Sequence, residues 1–222
     1  MTQAFNMDCV EAMKQMEDNA FDLAIVDPVY GDVTQGGYMR NLDSTTKLAR
    51  PIHYHLGLWN QEKTGKEYFD ELFRVSKNQI IWGGNYFTVE IGKNSQCWIV
   101  WDKERTGGFA EFEIAWTSFN RASRIFRYMW NGMLQGNMKN KETRIHPTQK
   151  PVALYKWLLK NFADEGMKIL DTHLGSGSSR IAAYDLGFDF VGYEIDKTYF
   201  DEQEERFNTH RNQLNLFTDF GL

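Results

Sequence analysis

Apolar residues recur along the chain in short strand-like runs and at helical spacing. The order of these segments predicts an α/β fold. Phe21–Val26 is an apolar run that stops at Asp27-Pro28, which is typical of a buried strand ended by a turn. Lys66–Ser76 carries its apolar side chains at helical spacing and predicts an amphipathic helix. Three short aromatic or β-branched runs predict further strands: Gln79–Trp82, Cys97–Trp101 and Phe112–Thr117.

The second half of the chain alternates helices and strands. In order, the pattern predicts a helix at Val152–Phe162, a strand at Met167–Leu170, a helix at Ser178–Leu186, a strand at Phe188–Tyr193 and a helix at Asp196–Phe207. Such alternation predicts a mainly parallel sheet with helices on both faces. We expect a single domain over residues 1–208, with insertions at about 32–64 and 120–145, followed by a C-terminal tail over 209–222.

Composition narrows the class of protein. With 222 residues, 42% of them hydrophobic and 15% aromatic, the chain can bury a large core and is not a disordered protein. No apolar run reaches the ~18 residues of a membrane span, and the N-terminus has no secretory signal pattern. Cys9 and Cys97 form no disulfide framework, so we expect a cytoplasmic protein. His53 and His55 have no further ligands at metal spacing, so no metal site is expected.

A glycine-containing loop follows the strand that ends at Asp171. Gly175 and Gly177 allow the backbone to turn tightly into a helix, and the next strand ends at Glu194. A ligand can approach such glycines closely, and a carboxylate at the neighbouring strand tip can accept both hydroxyls of a ribose. The pattern predicts a nucleotide-like cofactor, although a dinucleotide site would prefer glycine or alanine where Arg180 stands. A tight turn without a ligand is the alternative.

Two further segments carry candidate chemistry. Asp27-Pro-Val-Tyr-Gly31 lies where a strand ends, and its acid, rigid proline and aromatic ring suit a flat substrate that bears an amine. An ordinary Asp-Pro turn is the alternative. His146-Pro-Thr-Gln-Lys-Pro151 opens a predicted helix, and there the alternative is that Thr148 caps the helix while Lys150 is a solvated charge.

Together these segments resemble the DNA amino-methyltransferases. Asp27-Pro-Val-Tyr30 resembles their Asp-Pro-Pro-Tyr motif, with Val29 in place of the second proline. Asp171-Thr-His-Leu-Gly-Ser-Gly177 resembles their S-adenosylmethionine loop, with Thr172-His173 in place of Pro-Phe, and the His146–Pro151 motif matches at every position. The catalytic motif precedes the cofactor loop, as in the circularly permuted β group, and Ile80–Phe87 resembles phage and prophage members. The likeness spans about residues 5–207.

The resemblance implies a methyltransferase fold that uses S-adenosylmethionine and methylates the exocyclic N6 amine of adenine in double-stranded DNA, with the target base flipped out. The implied catalytic residues are Asp27 and the Pro28 carbonyl, which accept the hydrogens of the amine, and Tyr30, on which the base stacks. No metal and no covalent intermediate is implied. The implied cofactor-binding residues are Asp8, Cys9, Asp27, His146, Thr148, Lys150, Asp171, His173, Gly175, Gly177, Ser178 and Glu194.

The resemblance implies that different residues bind different parts of the cofactor. Lys150 with Thr148 would hold the methionine carboxylate, and Asp171 would hold the ammonium group. Glu194 would bind the ribose, and Asp8-Cys9 would contact the adenine ring.

The segment from Asn120 to Arg144 is basic within an acidic chain. Residues 121–144 have a net charge of +5, whereas the whole chain has −5. Phe126, Tyr128 and Trp130 are interleaved with the charges, which is typical of a nucleic-acid footprint, and a solvated loop is the alternative. The predicted DNA-binding residues are Arg121, Arg124, Arg127, Lys139, Lys141 and Arg144.

The C-terminal tail carries a further motif. Gln213-Leu214-Asn-Leu216-Phe217 resembles the motif with which bacterial proteins bind the sliding clamp, and packing of these side chains on the sheet is the alternative. A homodimer is another candidate assembly. The setting that these predictions suggest is a restriction–modification enzyme in a bacterial or phage-infected cell.

Two alternative functions stay open. A cytosine-amine methyltransferase differs only in the base, and enzymes of that kind more often begin the catalytic motif with serine than with aspartate. A nicotinamide-dependent oxidoreductase could use the Gly175 loop, but it leaves Asp27–Tyr30 and the Lys150 motif unexplained.

Overall fold

The computed structural model describes residues 1–31, 63–105, 110–131 and 134–219. Most of the insertion predicted at about 32–64, with His53 and His55, lies outside these residues. The strands are β1 (Thr2–Asn6), β2 (Phe21–Val26), β3 (Ser76–Trp82), β4 (Ile99–Asp102), β5 (Phe112–Thr117), β6 (Arg124–Arg127), β7 (Trp130–Asn131), β8 (Leu134–Gln135), β9 (Lys168–Asp171) and β10 (Asp189–Glu194). The α-helices are α1 (Cys9–Lys14), α2 (Lys66–Val75), α3 (Thr88–Ile91), α4 (Val152–Phe162), α5 (Ser178–Asp185) and α6 (Lys197–Asp219).

Eight of these strands form one sheet in the order β1-β10-β9-β2-β3-β5-β4-β6. The first five are mutually parallel, β5 is antiparallel to both of its neighbours, and β6 runs parallel to β4. The predicted mainly parallel sheet is therefore confirmed. Strands β7 and β8 form a separate small hairpin.

Helices cover both faces of the sheet, which explains why the central strands carry apolar residues on both faces. Successive side chains of a strand point to opposite faces. Leu23 and Ile25 pack in one core cluster with residues of α4 and α5, whereas Ala24 and Val26 pack in a second cluster with residues of α1 and α2.

Most of the predicted elements form, and the differences have local causes. β2, β5 and α4 have the predicted bounds. β4 begins at Ile99 rather than Cys97, because the backbone N–H of Cys97 donates to Ser95 Oγ and its carbonyl accepts Thr117 Oγ1 instead of joining the ladder. Helix α6 was predicted to end at Phe207 but continues to Asp219.

Candidate active site

Four acidic residues lie at one edge of the sheet because parallel strands end there together. Glu194 and Asp171 are the last residues of β10 and β9, Asp27 directly follows β2, and Asp8 lies two residues after β1. Open α/β sheets bind ligands at this carboxyl edge. The structure thus brings the sequence-predicted catalytic and cofactor segments to one place.

Asp27 is fixed through both of its carboxylate oxygens. Tyr30 donates its hydroxyl hydrogen to Oδ1, and the ammonium group of Lys150 bonds Oδ2 across 123 residues of sequence. Burial and the nearby carboxylate of Asp27 raise the pKa of Tyr30 well above its ordinary value, so its hydroxyl remains a donor. The predicted Asp27–Tyr30 motif is therefore one hydrogen-bonded unit whose geometry depends on Lys150.

The ring of Tyr30 is packed from the side of β3. Gly83 follows that strand with φ +63°, and a Cβ placed on it would lie 2.3 Å from Cε1 of Tyr30. The rings of Tyr86 and Phe87 lie 5.1 Å and 5.8 Å from the Tyr30 ring, centroid to centroid. Tyr86 is 42% exposed, so aromatic surface reaches solvent beside Asp27.

Lys150 has a second acid partner that the sequence analysis missed. Its Nζ lies 3.3 Å from Oε2 of Glu113 on β5, and Lys103 bonds the other oxygen of Glu113. Burial alone would raise the pKa of Glu113, but Lys150 and Lys103 hold that pKa at about 2. Burial would lower the pKa of Lys150, but Asp27 and Glu113 together raise it. The signal in the sequence was a single acid in an otherwise apolar strand, Phe112–Thr117.

Asp171 organises the glycine loop from inside the protein. It is 2% exposed, and it accepts hydrogen bonds from Ser179 Oγ at 2.5 Å and from the backbone N–H of His173 at 3.0 Å. Burial raises the pKa of Asp171 to about 7 in spite of these bonds. These bonds tie Asp171 to the loop, and its implied contact with the ammonium group of the cofactor stays a prediction.

The two glycines of this loop have left-handed backbone conformations, with φ +51° at Gly175 and +72° at Gly177. A Cβ on Gly177 would lie 3.0 Å from Oε1 of Gln203, so the loop packs directly against α6. Arg180, which stands where a dinucleotide loop prefers a small residue, is buried against α6, with its guanidinium paired to Glu204. Helix α5 begins at Ser178, as predicted.

Glu194 contacts the glycine loop directly. Its carboxylate accepts the backbone N–H of Gly175 at 2.8 Å and that of Asp196 at 2.9 Å. Burial raises the pKa of Glu194. The hydrogen bond between Gly175 and Glu194 explains why the sequence places an acid at the end of the strand that follows the glycine loop.

Asp8 and Cys9 form the start of α1 beside this edge. Asp8 caps the helix by accepting the N–H of Val10 at 2.7 Å and that of Glu11 at 3.1 Å. Burial, with Asp8 next to it, raises the pKa of the Cys9 thiol to about 12. The thiol therefore stays protonated.

The His146–Pro151 segment lies between the glycine loop and Asp27. A Cβ on Gly175 would lie 3.6 Å from the His146 ring, while Lys150 at the other end reaches Asp27. Burial and the charge of Lys150 lower the pKa of His146 to about 3, so its ring is neutral. Thr148 is not the cap of α4, because that helix begins at Val152 and Thr148 Oγ1 lies 3.1 Å from His146 Nδ1.

The two departures from the cofactor motif have partners on helix α2. Thr172 Oγ1 lies 2.6 Å from the hydroxyl of Tyr68 and 3.0 Å from His173 Nδ1. Burial lowers the pKa of His173 to about 4, so it presents a neutral ring. Thr172-His173 thus replaces apolar packing with a hydrogen-bonded contact to Tyr68.

The residues present fit the cofactor that the sequence implies. A closely approachable loop at Gly175 and Gly177 lies beside the strand-tip carboxylate of Glu194, which can accept the hydroxyls of a ribose. In the described ranges, no group of three or more His, Cys, Asp or Glu side chains is placed to hold a metal ion.

The predicted DNA-binding residues lie on and around the edge strand β6 and in the segment that follows the small hairpin. Arg121 and Arg124 both donate to Asn161 at the end of α4, whereas Arg127 lies 3.5 Å from Asp102 on the neighbouring strand β4. Arg124 and Arg127 therefore occupy opposite faces of the edge strand β6.

The remaining basic residues lie beyond the small hairpin. Lys139 and Lys141 are exposed, and the guanidinium of Arg144 stacks on Trp130 at 4.5 Å.

Glu142 is the acidic residue of this basic segment, and it is connected to the glycine loop through Arg206. Its carboxylate accepts the N–H of Val152 at 2.9 Å and pairs with Arg206 of α6 at 2.7 Å. Arg206 also donates to the carbonyl of Ser176 at 2.7 Å. The sequence analysis missed Arg206, which has no motif around it.

The C-terminal motif begins inside α6. Gln213 is exposed on that helix, and the prediction for Leu214, Leu216 and Phe217 concerns side chains outside the described part of the structure. Of the helices that the structure describes, none is long and apolar enough to cross a membrane.

The chain is similar to known DNA methylases. Residues 96–205 match a family of DNA methylases, the N6/N4 methyltransferases. The Type II methyltransferase M.HpaI of Haemophilus parainfluenzae is 24% identical over 242 residues, which cover 91% of this chain and 73% of that protein.

Solved structures share the fold at lower sequence identity. The M1.HpyAVI–SAM complex has a TM-score of 0.57 and 20% identity, covering 93% of this chain and 100% of that one. The cytosine-N4-specific PvuII DNA methyltransferase has a TM-score of 0.58 and 11% identity, covering 96% and 93%. These similarities confirm the predicted methyltransferase fold.

Proposed function

We propose that the chain is a DNA methylase of the N6/N4 family, which residues 96–205 match, and that it transfers a methyl group from S-adenosylmethionine to the N6 amine of adenine in double-stranded DNA. The observation that carries the proposal is the pairing of Asp27 with both Tyr30 and Lys150 beside the Gly175 loop. Asp27 is also the reason for preferring adenine, since the cytosine enzymes more often have serine at this position.

The residues that would hold the cofactor lie on both sides of the glycine loop. Glu194 would bind the ribose, the Asp8-Cys9 turn the adenine ring, and the His146–Pro151 segment the methionine end. When bound, S-adenosylmethionine supplies a methyl group on a sulfonium that an amine can attack directly. Asp171, which its bonds to Ser179 and His173 hold in place, would bind the ammonium group of the cofactor.

Asp27 and Pro28 would prepare the amine. The amine of adenine is a poor nucleophile because its lone pair is delocalised into the ring. The Asp27 carboxylate and the Pro28 carbonyl would accept its two hydrogens and favour a tetrahedral nitrogen, and Asp27 would take up the proton that the amine loses. Alignment and fixed charges supply most of the acceleration in such a site.

The target base must leave the duplex to reach Asp27. The rings of Tyr30 and Tyr86 offer aromatic surface at the mouth of the site, and the exposed Tyr86 ring is the part open to solvent. Stacking on this pair would replace part of the base stacking lost on flipping.

The test is to incubate the purified protein with labelled S-adenosylmethionine and mixed-sequence duplex DNA, and then to identify the methylated nucleoside by mass spectrometry. N6-methyladenine supports the proposal. N4-methylcytosine would instead favour the cytosine alternative, which the likeness to the PvuII enzyme keeps as the second candidate. Absence of methylation on every DNA, with the cofactor bound, would contradict both.

Finer features of the proposal rest on the sequence. We propose that the chain has the permuted motif order of the β group and is of phage type. We also propose a catalytic domain over 1–208 with two insertions, which acts in the cytoplasm as part of a restriction–modification system.

Clamp binding through Gln213–Phe217 is a separate proposal, tested by fluorescence anisotropy of a labelled peptide over His210–Leu222. Binding weaker than roughly millimolar would contradict it. Gel filtration with light scattering tests the homodimer.

A further inference from the structure

Glu113 is a half-buried acid of the site, and the proposed reaction gives it no role. It lies on β5, and it contacts two ammonium groups, those of Lys150 and Lys103. Lys150 is itself buried, with 5% exposure, and its Nζ also lies 5.5 Å from the centre of the Trp82 ring. Two acids and two bases therefore form a chain in the order Asp27, Lys150, Glu113, Lys103.

If the proposed function holds, Asp27 must accept hydrogen bonds from its protein partners and from the substrate amine at the same time. Its oxygens already accept Tyr30 and Lys150, yet the substrate amine also has to donate to this carboxylate. An ionised carboxylate has about four acceptor positions, and Tyr30 and Lys150 each take one, on different oxygens. The position of the Lys150 ammonium therefore decides from which direction the amine can reach Oδ2. A buried ammonium cannot simply move away, because an unpaired charge in the interior is costly.

Glu113 is a second ion-pair partner towards which the Lys150 side chain can rotate. Its Oε2 lies 3.3 Å from Lys150 Nζ, a longer contact than the one Lys150 makes with Asp27. A small rotation of the Lys150 side chain towards β5 would shorten that contact while the ammonium stays paired. We propose that Glu113 is a positioning residue, which holds Lys150 and so opens an acceptor position on Asp27 for the amine of the target base. This inference rests on the proposed function.

The charged and titratable groups around the Asp27–Lys150–Glu113 cluster come from several elements, and Lys103 pairs with Glu113 from the end of β4. Asp27 and Tyr30 follow β2, Glu113 lies on β5, His146 precedes Lys150 in its own segment, and Tyr155 lies on α4. Tyr30 and Tyr155 have raised pKa values, owing first to burial, and the pKa of His146 is low, so all three are neutral near pH 7. The charge of Lys150 is therefore balanced by Asp27 and Glu113.

The test compares Glu113→Gln with Glu111→Gln. The glutamine at 113 keeps the size of the side chain and removes its charge, and Glu111 is an exposed acid two residues earlier that serves as the matched control. We expect Glu113→Gln to lower kcat on DNA by about tenfold or more. Binding of S-adenosylmethionine, measured by calorimetry, should change much less than kcat, because Lys150, which would also hold the methionine carboxylate, keeps Asp27 as a partner in this variant. Glu111→Gln should leave both unchanged.

Two pH-dependent measurements separate positioning from simple structural support. Loss of one of its two acids should lower the pKa of Lys150, so the alkaline limb of kcat should move to lower pH in Glu113→Gln. The same shift should appear in an NMR titration of lysine labelled with ¹³C at Cε, where the Lys150 signal is assigned by its loss in Lys150→Gln. Neither shift is expected in Glu111→Gln.

Each outcome has a distinct meaning. A kcat for Glu113→Gln within about twofold of wild type, or a Lys150 titration that does not move, would overturn the role of Glu113. A wild-type protein that binds the cofactor but methylates no DNA would contradict the proposed function instead. If Glu113→Gln does not fold, Glu113→Asp replaces it. That variant shortens the side chain by one methylene and should also lower kcat, and a wild-type kcat would contradict the proposal.

Discussion

Gly83 lies against Tyr30 so closely that no larger residue fits between them. A Cβ on Gly83 would be 2.3 Å from the Tyr30 ring, and the residue also has the left-handed φ of +63°. Because Tyr30 bonds Asp27, the backbone that follows β3 sets the position of the acid that follows β2. The relationship links two segments that are 53 residues apart in the sequence.

The first prediction concerns this contact. Gly83→Ala should displace Tyr30 and lower kcat by about a hundredfold, since small misplacements in a reacting site have effects of that size. Gly187→Ala is the matched control, because Gly187 also has a positive φ, +76°, but a Cβ there meets no atom within 4 Å. Both variants should lose stability through backbone strain, and only the first should lose activity beyond that. Equal kcat values in the two variants would rule out the contact as the cause.

The second prediction concerns the proposed acceptor. Asp27→Ala should abolish methyl transfer while S-adenosylmethionine binding survives within about tenfold, because Asp27 would touch the nucleophile more directly than the cofactor. Single-turnover assays and calorimetry measure the two effects, with the exposed Asp70→Ala as the control. Turnover above a few per cent of wild type would remove Asp27 from the chemistry.

The third prediction concerns the cofactor. Glu194→Ala should weaken S-adenosylmethionine binding by tenfold or more, because a charge-assisted hydrogen bond contributes about 1.5–3 kcal/mol. It also removes the acceptor of the Gly175 N–H. Glu194→Gln keeps an oxygen and should show a smaller loss, whereas the exposed Glu205→Ala should show none. An unchanged dissociation constant in Glu194→Ala would refute the assignment.

The fourth prediction concerns DNA binding by β6. Each phosphate contact that is lost should reduce the slope of log K against log salt concentration by about 0.9. Since Arg124 and Arg127 lie on opposite faces of the strand, the single alanine variants should be measured as well as the double variant. We expect the double variant to bind more weakly with a shallower slope, and the single variants to show which face meets DNA. Unaltered slopes in all three would place the DNA elsewhere.

The fifth prediction concerns pH and stability. The pKa of Asp171 is about 3.8 when unfolded and about 7 in the folded protein, so the folded state favours the protonated form. Its contribution to stability is complete below about pH 4 and is lost as the pH rises to about 7. Relative to Asp171→Asn, the wild type should therefore lose up to about 4 kcal/mol of unfolding free energy over this window. Urea unfolding of both proteins at pH 4.5, 6 and 7.5 measures the difference, and a constant difference would contradict the prediction.

Local patterns predicted the parts of the site that depend on neighbouring residues in the chain. The apolar run of β2 and the glycine loop after β9 were both visible because strand burial and tight turns have short-range signatures. The bond between Asp27 and Lys150 was not visible, since it joins distant segments. Nor was the role of Arg206, whose partners, Glu142 and the Ser176 carbonyl, come from two other elements.

The pairing of β1 with β10 has a consequence for how the protein is made. The ladder joins Thr2 to Phe190, and β2 joins β9 through Leu23 and Ile169. A ribosome must therefore synthesise most of the chain before the first two strands can acquire these partners. Contacts so distant in sequence make folding slow. Until then the nascent chain carries the unpaired edge of β2, which is exposed to association with other strands.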